Sequence, residues 1–333
     1  MKKIFSLLLP ALVVLMACRK QVINETNKIN SDITISPAPP PYPSDHWVQI
    51  TSPDQQGFGY NNCSFSIGNM GYVLLGYFEK LWQYDPSTNS WVNKGSLPHS
   101  DNSYGAVAFS IGNKGYYYSN DGNFWEYDPS TNLWSAKADF PGVDRSWAVG
   151  YSIGNKGYVG TGYRTVPVGG DNTLGDWWEY NPATNMWSQK ANVPGLKRMG
   201  ATGYGTGTKG YLGTGKSYLK LFNGNYAGIF QNDWWEYNPI TNAWTQKANF
   251  PGQGKLNATG FMISNVIYTG LGTTSSGSFS NEFYLYNPPT DVWVSKTVPS
   301  VTNSAEYLTS FSIGSYGYTV EGNLTAFWKY FQY

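Results

Sequence analysis

From His46 onward, apolar and polar residues alternate in short runs, and no stretch between 46 and 333 carries the period of an amphipathic helix. The clearest run is Asp176–Trp187, Asp-Trp-Trp-Glu-Tyr-Asn-Pro-Ala-Thr-Asn-Met-Trp. Alternation sets Trp178 and Tyr180 on one face of a strand, with Trp177 and Glu179 on the other. Asn181-Pro182 then supplies turn chemistry, because the Asx side chain caps the turn and proline fixes φ at its second position. Trp187 opens the return strand. The same cassette starts at Leu81-Trp82, Phe124-Trp125, Trp234-Trp235 and Phe283-Tyr284, and a sixth copy, Phe327-Trp328-Lys329-Tyr330, stops short of its Asx-Pro turn.

A second hairpin alternates with the first. Ser66-Ile67-Gly68-Asn69-Met70-Gly71-Tyr72 returns at Ser110–Tyr116, Ser152–Tyr158 and Ser312–Tyr318, with looser copies at Gly205–Tyr211 and Ser264–Tyr268. Its Gly-Asn centre suits a turn that needs positive φ. Four strands a–d, repeated six times, predict an all-β chain: a six-bladed β-propeller of four-stranded antiparallel blades. The sixth blade lacks its last strand, and His46-Trp47-Val48-Gln49-Ile50 matches the strand that follows each turn tryptophan, as in Trp91-Val92-Asn93-Lys94. The N-terminal strand therefore completes the last blade and leaves no open edge.

With glycines ending the second strand, then an aromatic pair, Tyr, Asp-Pro and a downstream Trp, residues 46–333 resemble the kelch-repeat family. The chain departs from the usual pattern in having Gly-x-Gly (Gly160-Thr161-Gly162, Gly213-Thr214-Gly215, Gly270-Leu271-Gly272) where adjacent glycines are typical. The resemblance implies a propeller and leaves function open. Some relatives are enzymes, among them galactose oxidase-like proteins and sialic acid mutarotases, and many are interaction modules.

Composition adds little to the fold: glycine (38 residues) and aromatics (17%) are high and charge (13%) is low. The first residues change the picture. Lys2-Lys3, an apolar run too short to span a bilayer, and Leu15-Met16-Ala17-Cys18 read as a lipoprotein signal over 1–17, with Cys18 the lipidated residue. Residues 18–45, polar and then proline-rich, read as a tether. The expected setting is a bacterial cell envelope, with the membrane reached only through the lipid anchor, on either its periplasmic or its outer side. Removing 1–17 takes away two lysines and leaves a formal charge of −1, which gives no general reason to bind nucleic acid. With Cys18 acylated, Cys63 has no disulfide partner and is expected as a small buried hydrophobe. A monomer is expected.

The a–b and c–d turns share one face of such a ring and are nearly uniform. The opposite face varies. Its b–c loops have 3 or 4 residues in blades 1, 2 and 6, but 14 (Tyr163–Asp176), 18 (Lys216–Asp233) and 10 (Thr273–Glu282) in blades 3, 4 and 5. Loops of that length are uncommon without a function. Arg145, Arg198 and Lys255 occupy one equivalent d–a position on the same three blades, where blades 1, 2 and 6 carry Gly59, Ser103 and Ala305. This coincidence predicts a cationic, loop-walled pocket for an anionic or polyhydroxylated glycan, or for a protein loop. Its ligand-binding residues are Arg145, Arg198, Lys255, Arg164, Tyr163, Tyr218 and Tyr226, with loop aromatics Phe222 and Phe230 beside them. The competing reading pairs each cation with a neighbouring carboxylate and packs the loop aromatics onto their own blades. The glutamates Glu126, Glu179 and Glu236 recur with the hairpin and are expected to be structural.

Catalysis has little support. His46 and His99 are the only histidines, and no metal-ligand spacing, phosphate loop or Ser-His-Asp arrangement is present in the sequence. No metal and no cofactor are expected. A sugar mutarotase or epimerase needs only an acid/base pair beside an arginine, and Asp144 by Arg145, or Glu282, are candidates for it. A structural subunit of an envelope complex is the third reading.

Overall fold

The computed structural model describes residues 45–52, 62–75, 80–97, 105–164, 171–299, 308–321 and 326–332. The signal segment, Cys18, the tether up to residue 44, and His99, Gly59, Ser103 and Ala305 lie outside them. Among the described residues there are strands and no helix. Six four-stranded antiparallel sheets follow one another as blades around an axis, within a compact unit spanning Asp45–Tyr333. Blade 1 runs Cys63–Ile67, Met70–Leu75, Lys80–Asp85, Ser90–Ser96; blade 3 runs Val149–Ile153, Lys156–Gly160, Trp177–Asn181, Met186–Lys190. In blade 6 the outermost strand is His46–Ile50, antiparallel to Phe327–Phe331 with Trp47 opposite Tyr330.

Alternation explains where the core sits. In Val107–Ile111 of blade 2, Val107, Phe109 and Ile111 are buried and the intervening Ala108 and Ser110 face the axis. The buried set packs against the next blade, so the core is six separate aromatic-rich clusters, one at each blade interface, rather than one central body. The repeated Gly-Tyr of the second strand follows from this. A Cβ on Gly115 would lie 2.4 Å from the ring of Phe65 in the preceding blade, and one on Gly317 would lie 2.2 Å from that of Phe261.

The Asx-Pro cassette is an inter-blade clip. Asn185 sits at φ 51° after its turn, where an amide side chain tolerates the left-handed region better than most. Its Oδ1 accepts from Tyr180 Oη in its own blade (2.8 Å) and from the Ala138 N–H of the preceding one (2.9 Å). Trp187 Nε1 donates to the Ala138 carbonyl at 2.9 Å. Asn242 with Trp244, and Asp291 with Trp293, make the same contacts one and two blades further on. Each such bond contributes about 0.5–1.5 kcal/mol net. The closing strand is clipped from both sides: Trp47 Nε1 donates to Thr297 O (2.9 Å), and Trp91 Nε1 donates to Thr51 O (2.9 Å). Trp47 also packs against Phe283 and Tyr330, with ring centroids at 5.5 and 5.0 Å.

The glutamates are structural. Glu126 accepts from Tyr116 Oη (2.5 Å) and pairs with Lys137 (3.1 Å); Glu179 and Glu236 repeat the arrangement with Tyr158 and Lys190, and with Tyr211 and Lys209.

Candidate functional site

The three cations expected to line a pocket are wholly buried. Arg145 makes a bidentate pair with Asp176 (2.6 and 2.8 Å) and donates to the carbonyls of Thr161 (3.1 Å) and Val143 (3.0 Å). Arg198 repeats this one blade on, with Asp233 (2.5 and 2.8 Å), Thr214 O (3.2 Å) and Leu196 O (3.1 Å). In blade 5, Lys255 bonds Glu282 and Ser280. The Gly-x-Gly segments serve these pairs. Thr161 and Thr214 take φ of 55° and 60°, and their carbonyls meet the guanidinium. Burial raises the Asp176 carboxyl, but the Arg145 hydrogen bonds and charge outweigh that and hold it below the ordinary carboxylate value. Burial also depresses the Lys255 ammonium, against the opposing pull of Glu282.

The expectation of an open cationic pocket is therefore corrected. Arg145, Arg198 and Lys255 have spent their charge on carboxylates at the bases of the long loops, and none presents a free cation. A signal for this was on the chain. Asp176, Asp233 and Glu282 stand immediately before the aromatic pair in the three blades that carry the cations, where blades 1, 2 and 6 have Lys80, Asn123 and Ala326.

The aromatics behave differently. Tyr163 is half-buried in the blade 3 loop, edge-on to Tyr218 of the blade 4 hairpin (centroids 6.3 Å) and to Trp147 (6.3 Å). Lys216 lies over the Tyr218 ring at 4.9 Å and the Phe230 ring at 5.3 Å. Arg164 is half-buried beside Tyr163, its backbone paired with Arg145 and its N–H given to Asn172 O (2.9 Å). Tyr226 is 38% exposed and stands opposite Lys220 near the hairpin tip, apart from this group; Phe222 at the tip is fully exposed.

Trp147 is the residue sequence reasoning missed. It adopts φ 52°, an outlier for a bulky side chain that costs on the order of 1–3 kcal/mol. Equivalent positions on blades 2, 4 and 5 hold Gly105, Gly200 and Asn257, also left-handed. Among the described residues they form an open hoop of backbone hydrogen bonds along the channel mouth: Trp147 N–H to Gly105 O (3.1 Å), Gly200 N–H to Trp147 O (3.0 Å), and Asn257 N–H to Gly200 O (2.8 Å). The hoop holds Trp147 in its strained conformation. A tryptophan at a place where blades 1, 2, 4 and 5 carry Asn61, Gly105, Gly200 and Asn257, and only blade 6 another aromatic, Tyr307, was the available clue.

Beneath the hoop, a cavity of about 160 Å³ opens onto a ring of Asn62, Ala106, Ala148, Ala201, Ala258 and Leu308. It continues through axial cavities of about 200 and 220 Å³, lined mainly by serine, glycine and alanine. No carboxylate, amine, guanidinium or imidazole is among the described residues that line them. Among the described residues, no three His, Cys, Asp or Glu side chains gather as metal ligands would.

No protein-family model matches the chain, and no curated protein matches it in sequence. Among solved structures, the chain is similar to that of YjhT, with a TM-score of 0.63 and 14% identity over 84% of this chain and 95% of that one. At that identity the likeness is one of fold, and the fold shared is the β-propeller.

Proposed function

We propose that this protein is an anchored extracytoplasmic binding module whose ligand, a glycan, lies on the loop face of blades 3–5. The observation that carries the reading is the aromatic wall Trp147–Tyr163–Tyr218 above the channel mouth, with Trp147 held in a conformation its own backbone disfavours. Sugar rings present C–H faces that pack on aromatic rings and hydroxyls that need polar partners, which suits an apolar wall over a small polar cavity. Arg145, Arg198 and Lys255 then act from below, fixing the loops that carry the wall. Arg164 stands at its margin, and Tyr226 apart from it near the hairpin tip. A protein loop is the other ligand class, and it would use the exposed hairpin residues Phe222 and Tyr226 rather than the mouth. The test is titration of purified protein with a glycan panel. Trp147→Ala and Tyr163→Ala should each lower affinity about tenfold at unchanged melting temperature; unaltered affinity in both variants sinks the reading.

One observation favours catalysis as a second reading. The Glu282 side chain is 35% exposed and is held by a lysine whose ammonium is depressed by burial, a pairing able to move a proton at the edge of the blade 5 loop. Saturation-transfer exchange between sugar anomers, abolished by Glu282→Gln, would establish a mutarotase. Attachment is tested separately: Cys18→Ser should move the protein out of the membrane fraction, and continued membrane association would exclude a lipid anchor at Cys18.

A further inference from the structure

At the channel mouth one side chain stands out from its ring. Asn62 lines both the mouth cavity and the one beneath it, and its Nδ2 and Oδ1 are both buried with no hydrogen-bond partner. A buried, unpaired polar atom costs about 1–3 kcal/mol, and here a donor and an acceptor on one amide are left together. Elsewhere the chain uses such groups: Asn89, Asn132, Asn185 and Asn242 all bond a tyrosine hydroxyl. The neighbours of Asn62 in its ring are alanine methyls and Leu308, and the buried cations Arg145, Arg198 and Lys255 are committed to ion pairs.

We propose that Asn62 reads a vicinal diol on an uncharged sugar whose ring lies against Trp147, so that the site takes neutral glycans and rejects acidic ones; this rests on the glycan reading above. An amide presents one donor and one acceptor side by side. Two adjacent hydroxyls are its complement: one O–H donates to Oδ1 while the oxygen of the other accepts from Nδ2. A carboxylate only accepts, so it would set its charge against Oδ1 with no cation among the described residues that line the cavity. Size agrees. About 160 Å³ is below the 300–1,000 Å³ typical of a pocket that swallows a whole ligand, so the mouth admits one edge of a ring and leaves its face on Trp147. Asn62 already borders the cavity, and its amide reaches the diol by side-chain rotation.

The experiment is saturation-transfer NMR with affinity titration, using the full chain and three probe sets: methyl glucoside, mannoside and galactoside, their uronic acid counterparts, and singly deoxygenated analogues of the tightest binder. At least one neutral glycoside should bind about tenfold more tightly than its uronate. Deleting either hydroxyl of one adjacent pair should cost about tenfold. In Asn62→Ala that deoxy penalty should vanish while stacking on Trp147 persists, and Ala148→Leu, which fills the mouth without touching an amide, should abolish binding. Equal affinity for glycoside and uronate, or a deoxy penalty that survives Asn62→Ala, overturns the assignment to Asn62 and leaves the binding face standing. Absence of binding by every sugar, with Trp147→Ala indistinguishable from wild type, overturns the glycan reading and this inference together.

Discussion

The two faces of the ring use ionic and polar groups in opposite ways. On the turn face, an Asx side chain and an indole N–H together join blades 1, 3, 4 and 5 to the strand before them, the Asn132 amide does so in blade 2, and the Trp47 indole does so at the closing strand. On the loop face, the buried pairs Arg145–Asp176, Arg198–Asp233 and Lys255–Glu282 occur on three consecutive blades and join a d–a connection to the base of a long b–c loop. Repetition around the whole ring marks what every blade needs to find its neighbour. Repetition confined to one half marks what the long loops need in order to stand.

The largest effect should come from breaking the turn-face system at its seam. Deleting residues 18–44 should leave the melting temperature unchanged, whereas deleting through Thr51 removes Trp47, worth on the order of 3–5 kcal/mol by itself, and opens the edge of blade 6. Equal melting temperatures for the two truncations would mean that the ring closes without this strand.

Next comes the loop-face system. Arg198→Ala leaves Asp233 unpaired and should cost about 3–5 kcal/mol in thermal unfolding, as broken buried pairs do. Lys255→Ala should cost less, because Glu282 is 35% exposed and water can take up its charge, while the Asp233 side chain is 19% exposed. A milder loss for Arg198→Ala than for Lys255→Ala would refute the ranking.

A pH dependence follows from the same pairs. The Asp176 carboxyl sits below its ordinary value of 3.8 in the folded state, so the unfolded chain binds its proton first. The stability Asp176 contributes is present in full above that value and is lost as pH falls through the lower folded-state value. Stability of Asp176→Asn measured between neutrality and pH 2 should therefore fall less steeply than that of the wild type; parallel curves would remove Asp176 from the acid response.

The smallest effect on stability is the most telling for function. Trp147→Gly gives the hoop the residue that blades 2 and 4 already use, relieving about 1 kcal/mol of backbone strain against the loss of indole packing. Melting temperature should change little while glycan affinity falls; unchanged affinity would make Trp147 a rim residue only.

Most of the fold was legible because each of its devices is local. Alternation marks the strands, Gly-Asn and Asx-Pro mark the turns, and the spare His46–Ile50 strand answers the missing strand of blade 6. The site was legible only in part. The position of Arg145, Arg198 and Lys255 could be read from the repeat, but their role depends on Asp176 and Asp233, 31 and 35 residues downstream, and on guanidinium contacts to carbonyls, which carry no side-chain signature. Trp147 was hidden for a related reason. Its significance lies in a backbone torsion enforced by hydrogen bonds from two other blades.

The closing strand also has a bearing on the order of assembly. A chain that emerges from its N-terminus lays down blade 1, then blade 2, each docking on a neighbour already made. His46–Ile50, however, has no partner until Phe327–Phe331 appears, and Trp47 waits for Thr297, 250 residues away. Closing so long a loop is entropically slow and comes last. Meanwhile His46-Trp47-Val48 carries the address of a fourth strand, and each growing blade offers a third strand before its own fourth has been made. The repetition that makes the ring easy to read gives the unfinished chain several wrong places to close.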